Sequence, residues 1–488
     1  MKMKKSKGTM RHLRALAFFA TFLLSTCPAW PQALPAKPAA SFSPALRAEL
    51  ESIRDATMKS DYAWQQLAHL TENIGPRPAG SAGAQTAIEY VAAELKKLGL
   101  EVHLEPAQVS HWVRGEEKAE LTEFPGQAGN MPRHVVLTAL SGSSATPPDG
   151  LSAEVIVVHS FAELTALSRE KVAGRIVLYN VPYDERMALG GSSFQAYGEA
   201  VVYRLEGAKK AAALGAVASL IRSVGGANFR LPHTGFSTPA GIPAAALAAE
   251  DADLVDHLSA QGLVRMHLTL MPQTLPNVTS YNVIGDLKGS EHPEQIVVVS
   301  GHLDSWDLGQ GAIDDGAGVV MAMQTAEVLQ RLHLRPRRTL RVIAWMDEEN
   351  GGGGHEAYGK DYAGEMVNHV AAIESDAGAG HPIGFVMKAT PEALASLRPV
   401  ADVLRPIGAT LLQSVEYSPG SDIEPIVKAG VAGIGIIPDS THYFDYHHSA
   451  ADTLDKVDPR ELKENAAAMA VMGYAIAAIP EPLPKSQK

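Results

Sequence analysis

The chain has 488 residues, 46% of them hydrophobic and 20% charged, a composition that excludes dominant disorder and leaves room for two or three domains. Its formal charge of -12 at neutral pH makes nucleic acid and anionic membrane surfaces poor partners, because both repel an acidic protein. The only cysteine, Cys27, falls in an N-terminal leader, so the mature chain has no means of forming a disulfide.

Residues 1–33 read as a secretory signal peptide. Lys2, Lys4, Lys5, Lys7, Arg11 and Arg14 precede a mostly apolar run over 15–24, and small and proline residues follow. The apolar run is too short to span a bilayer permanently, so cleavage is expected near Ala33, with export to a periplasm or the medium. Loss of six basic and no acidic residues takes the formal charge from -12 to -18. Cys27 is an alternative lipidation site, although Thr26 before it is bulkier than the small residue usual there.

Apolar residues at helical spacing predict helix over 45–71. "ENIGPRPAGSAGAQ" interrupts it with glycine and proline before a second amphipathic helix, "TAIEYVAAELKKLG", which Gly99 ends. "LEVHLEPAQV" alternates as a strand does. From 130 to 272 the texture changes. Strand-like "AEVIVVHS" and "GRIVLYNV" are joined by a short helical stretch, "GAKKAAALGAVASLIRSV" reads as a helix leading to a buried strand, and "NFRLPHTGFSTPAGIPAAAL" is loop-rich enough to wall or cover a site.

After Tyr281 a third texture begins. "QIVVVSGH", "TLRVIAWMDEE", "HVAAIESDAG" and "AGIGIIPDS" are short, nearly continuous apolar runs separated by helix-like stretches. Runs of that kind indicate an α/β fold, its central sheet mostly parallel and covered by helices on both faces. Each run ends at or just before an acidic residue or histidine, and ligands of open α/β sheets bind beyond the carboxyl ends of the strands.

His302 ends the first run, Asp314 follows in "GHLDSWDLGQGAIDDGAG", Glu348 and Glu349 follow the second, Asp376 the third and His448 the fourth. Two histidines with several carboxylates suit a borderline-soft divalent metal such as zinc. More donors are present than one tetrahedral ion needs, and Asp314, lying between candidate ligands, is the natural bridge in a two-metal site. Two dications would offset the crowded carboxylates, and the glycines would let the backbone pass close to them.

These stretches, with "DEENGGGG", "ESDAG" and "YFDYHHSAADT", resemble the motifs of the two-zinc aminopeptidase and glutamate carboxypeptidase family. "ENIGPRPAGS", "SLIRSV", "LPHTG" and "GSDIEPIVKAG" extend the resemblance over most of the mature chain. It implies a zinc-exopeptidase domain in two pieces, 34–129 and 273–488, around an inserted β-rich α/β protease-associated domain at 130–272. It also implies one zinc on His302 and Asp376, a second on Glu349 and His448, Asp314 as bridge, and Glu348 as general base.

By the same resemblance, Asp304 hydrogen-bonds the ligating histidine and fixes its tautomer. The peptide bond between Asp314 and Asp315 is implied to be cis, Asp422 to contact a substrate terminus, and the chain to form a homodimer. His447 competes with His448, which is preferred because the family pattern is histidine, three residues, then Asp-Thr, here Asp452 and Thr453. The expected activity is hydrolysis of dipeptides or short peptides, with water shared by the two ions supplying hydroxide near neutral pH. The rival readings are a receptor-like binding protein on the same architecture and a single-zinc glutaminyl cyclase. Metal content separates the three.

Overall fold

The computed structural model describes residues 41–226 and 228–486; the expected signal peptide and Cys27 lie outside them. The first expected helical region forms as Pro44–Thr57 and Tyr62–Ala68, followed by Ala82–Lys97. Ser81 caps the last of these by accepting the Ala84 N–H. Gly99 follows with φ +79°, a left-handed turn that glycine makes without a Cβ clash.

The chain then enters β1 (Glu101–Val113), leaves the central sheet to build a second one, and returns. The second sheet uses β2 (Glu117–Glu123), β3 (Arg133–Val135), β4 (Leu137–Ala139), β5 (Leu151–Val158), β6 (Ile176–Tyr179), β7 (Ala218–Arg222), β8 (Ala244–Leu247) and β9 (Arg265–Leu270). Their order is β3-β2-β9-β5-β6-β7-β8-β4, with β5 to β8 parallel. This sheet begins at Glu117, ahead of the expected boundary at 130, because β2 pairs with β3 and β9. Buried Ala119 and Leu121 alternate with polar residues in β2, much as residues do in β1, so no change of texture marks the crossing.

The return strand β10 (Gln273–Leu287) pairs antiparallel with β1 from Gln273 opposite Val113 to Asp286 opposite Glu101. The rest of the central sheet is β11 (His292–His302), β12 (Arg338–Trp345), β13 (His369–Glu374), β14 (Pro382–Lys388), β15 (Leu411–Ser414) and β16 (Ala432–Pro438). The order is β1-β10-β12-β11-β13-β16-β14-β15. The four apolar runs are β11, β12, β13 and β16, and they form the parallel heart of the sheet. Antiparallel pairings at β1/β10, β10/β12 and β14/β16 flank it, so the sheet is mixed.

Burial on both faces explains the continuous apolar runs. Val297 and Val299 of β11 pack with the helices Ala317–Arg331 and Pro459–Ala478, whereas Ile296 and Val298 join Trp345, Tyr358 and Ile426 on the opposite face. The chain leaves β11 through the helix Ala317–Arg331 on one face to reach β12, then crosses by Gly353–Asp361 on the other to β13. Strand order reverses at β11, and a crevice forms at the carboxyl end of such a switch point. Among the described residues, no helix is long and apolar enough to cross a membrane.

Candidate metal centre

His302 is the last residue of β11, and its Nδ1 donates to the Asp304 carbonyl at 3.0 Å. That bond leaves Nε2 facing Asp314 Oδ1 at 3.2 Å and Asp376 Oδ1 at 3.5 Å. The other oxygen of Asp314 faces His448 Nε2 at 3.3 Å and His447 Nε2 at 3.5 Å. His448 Nε2 also lies 3.0 Å from Glu349 Oε2. The five expected ligands are therefore linked through Asp314: His302 and His448 face its two oxygens, and Asp376 and Glu349 face those histidines. His447 stacks on His448 with ring centroids 3.6 Å apart, so both histidines stand at the site, and His448 alone is paired with Glu349.

Several side chains with no expected part in the site hold these donors. Asp315, buried beside Asp314, accepts the His302 N–H at 3.0 Å and the Gly318 N–H at 2.9 Å. It also forms a possible metal-holding group with His302 and Asp376. The peptide bond joining Asp314 to Asp315 is cis. Arg77, fully buried, donates to the carbonyls of Leu303, Gln310 and Gly311 at 2.8, 2.6 and 2.8 Å, pinning both ends of the loop between His302 and Asp314. Asp452 accepts the Ala312 and Ile313 N–H groups, each at 2.8 Å. "IGPRPAGS" carried Arg77 and the "SAADT" stretch carried Asp452, but neither pattern says which backbone groups they reach.

Glycines in and beside the loop from His302 to Asp314 serve close approach. A Cβ at Gly311, whose φ is +60°, would sit 2.4 Å from the Ser305 Cβ and 2.6 Å from the Arg77 guanidinium. At Gly301 it would sit 2.6 Å from the Asp315 carboxylate.

Asp304 bonds His302, but through its backbone carbonyl. Its carboxylate stands 3.9 Å from Nδ1 and accepts the N–H groups of Asp347, Glu348 and Glu349 at 2.8, 3.2 and 3.4 Å. Three converging N–H groups at a tight turn form an anion-binding nest that satisfies a buried carboxylate better than one ring N–H. Asp347 turns with φ +73°, which aims Glu348 and Glu349 differently. Asp422, expected at a substrate terminus, is 1% exposed and accepts the His355 Nδ1–H at 3.1 Å. Its own N–H is directed to the Glu374 carboxylate at 3.4 Å.

The electrostatics test whether a cation fits. Asp314 Oδ2 and Glu349 Oε1 are buried with no hydrogen-bond partner, a costly state for a carboxylate unless a proton or cation offsets it. Burial pushes Glu349 up to about 8, with the Asp314 charge adding to the effect. Burial, reinforced by Asp376 and Asp314, likewise pushes Glu348 up to about 7. Burial also opposes charge on Asp314, yet His447, His302 and His448 hold its carboxyl well below the usual range. Mixed nitrogen and oxygen donors, crowded and short of protein cations, suit zinc. A cavity of about 330 Å³ opens beside them, lined in part by Ile313, Ala377, Gly378, Tyr443, Tyr446 and Lys456, at the small end of ligand-site volumes.

The fold and this donor set fit a metal-dependent hydrolase, with its donors at the carboxyl edge of an α/β sheet. Residues 282–472 match the profile described as Peptidase family M28. Carboxypeptidase Q of Homo sapiens is 38% identical over 432 residues, 87% of each chain, and that of Xenopus laevis is 40% identical over 429 residues, again 87% of each. A solved Peptidase M28 precursor from Shewanella amazonensis superposes with a TM-score of 0.85 at 33% identity, covering 91% of this chain and 99% of that one. A zinc aminopeptidase from Bacillus subtilis shares the fold, with a TM-score of 0.62 at 21% identity over 86% and 95% of the two chains. The chain belongs to peptidase family M28, as its motifs imply, and is a zinc metallo-exopeptidase, a hydrolase acting on peptides; the receptor-like reading is set aside.

Proposed function

We propose that the chain is an exported two-zinc exopeptidase that hydrolyses dipeptides or short peptides. One observation carries the two-ion reading: the two oxygens of Asp314 face different donor sets, His302 with Asp376 on one side and His448 with Glu349 on the other. Bound zinc would supply Lewis acidity, polarising the scissile carbonyl and making water acidic enough to attack near neutral pH. Glu348 accepts the proton of the attacking water on its carboxylate and returns it to the leaving amine, the part of a general base that becomes a general acid. Its neighbour Glu349 is free to serve as a ligand because the Asp304 nest turns the two side chains apart. The resemblance of the motifs to the glutamate carboxypeptidase family favours free dipeptides as substrates, and the expected leader at 1–33 supports export.

A panel of free, N-blocked and C-blocked dipeptides, assayed with and without a chelator, tests the activity. Hydrolysis of free dipeptides that stops on chelation and returns with zinc is the expected result. Chelator-resistant hydrolysis would refute it. Glu348→Gln is expected to keep two zinc per chain while turnover falls roughly a hundredfold or more, the size of a lost general base. One zinc in the wild type would point to cyclase-like chemistry instead.

A further inference from the structure

The part of the chain that builds the second sheet, 117–270, grips the segment that carries His447 and His448. Residues 233–234 run beside 447–448: His233 Nδ1 donates to the His447 carbonyl at 2.6 Å, and Thr234 N donates to the His448 carbonyl at 2.8 Å. His448 Nδ1 in turn faces the Thr234 carbonyl at 3.3 Å. Behind this ladder stands Arg204, 6% exposed, from the helix Ser193–Ala213. It donates to the Thr234 and Phe236 carbonyls at 3.2 Å each and lies 3.4 Å from His448 Nδ1. Tyr197 of the same helix stacks on Phe444 at 4.3 Å and meets the His447 ring edge-on at 5.2 Å.

Two glycines make room for the grip. A Cβ at Gly235 would sit 2.4 Å from the Arg204 guanidinium, and one at Gly225 would sit 2.1 Å from the His233 ring. His448 itself has φ +60°, a left-handed conformation that a residue with a Cβ keeps only when its surroundings hold it.

An imidazole that offers Nε2 to a cation keeps its proton on Nδ1, and the acceptor of that proton sets the ring's orientation. Here the acceptor is a backbone carbonyl, which is only as well placed as the backbone carrying it. We infer that Arg204 and His233 are positioning residues for His448, which makes the segment that builds the second sheet a working part of the metal centre. The inference rests on the two-zinc reading above.

Zinc per chain after dialysis, and zinc affinity by calorimetry, test it on the full-length protein. In Arg204→Met and His233→Leu, one of the two zinc affinities is expected to fall roughly 10- to 100-fold, the usual cost of losing an outer partner of a ligand. The other affinity should not change, and the metal-free protein should keep its circular dichroism. Arg204→Lys, retaining one donor, should recover part of the loss. Arg222→Met serves as the control, since Arg222 bonds Asn180 and Ala249 within 117–270, away from 440–449, and it should hold both ions normally.

Two zinc ions at wild-type affinity in a folded Arg204→Met would overturn the inference. Should that variant not fold, Gly235→Ala, which displaces the guanidinium without removing it, must show the same loss, and wild-type affinity there would overturn it equally. Fewer than two zinc in the wild type would instead bring down the two-zinc reading, and this inference with it.

Discussion

Both sheets contain four adjacent parallel strands, and both gather polar side chains beyond the carboxyl ends of those strands. In the second sheet the charges are matched. His159 beyond β5 bonds Asp256 at 2.8 Å, Asn180 beyond β6 donates to the same carboxylate at 2.8 Å, and Arg222 ending β7 pairs with Asp253. In the central sheet Asp314, Glu349 and Asp376 face histidines, and among the described residues no lysine or arginine pairs with them. The same topology thus yields two kinds of edge. Matched charge at an exposed edge is solvation with modest stability, whereas buried carboxylates without matching cations need something from outside the chain.

The largest effect should come from neutralising the shared carboxylate. Asp314→Asn is expected to retain neither zinc after dialysis and to hydrolyse free dipeptides at the background rate. Two retained ions would dissolve the contrast between the sheets. A moderate effect should appear in the pH dependence of stability through His369, at the start of β13. Its Nδ1 donates to the Glu365 carbonyl and its Nε2 accepts the Tyr358 hydroxyl at 2.7 Å. Burial moves it from 6.5 down to about 4.

Between those values the unfolded chain binds a proton that the folded one refuses, so stability is full above pH 6.5 and falls as pH drops toward 4. The loss is on the order of 2–3 kcal/mol. Urea titrations from pH 4 to 7 should show a shallower slope in His369→Gln, and an unchanged slope would remove the assignment. The smallest effect belongs to the matched edge: Asp256→Asn should change stability by less than about 1 kcal/mol and dipeptide turnover by no more than about twofold. Loss of zinc in that variant would show that the second sheet's polar edge serves the metal directly.

Much of this was legible in the chain before folding. β11, β12, β13 and β16 announced themselves because strands buried on both faces must be apolar at every position, a signal that survives without partners. Their carboxyl ends placed His302, Glu349 and Asp376 on one edge, and the glycine-rich loop marked Asp314. What escaped was whatever depends on one backbone group meeting a distant side chain. The Asp304 carboxylate bonds the 347–349 turn and leaves His302 to a carbonyl. Arg77 closes a loop more than two hundred residues away. Asp422 turns inward to His355. The second sheet's start at Glu117 was equally hidden, since alternation is the same in whichever sheet a strand joins.

Side-chain type and spacing by themselves determined the kind of chemistry, because a cation's preference for nitrogen and oxygen donors is local and the order of strands, helices and loops follows from periodicity. The three-dimensional fold alone decided how those donors are aimed, since hydrogen bonds act over about 3 Å while the groups that make them here lie tens to hundreds of residues apart. That is why the ligands could be read from motifs, and why the residues holding them, Arg77, Asp452 and Arg204, could be seen only once the chain had folded and brought distant segments together.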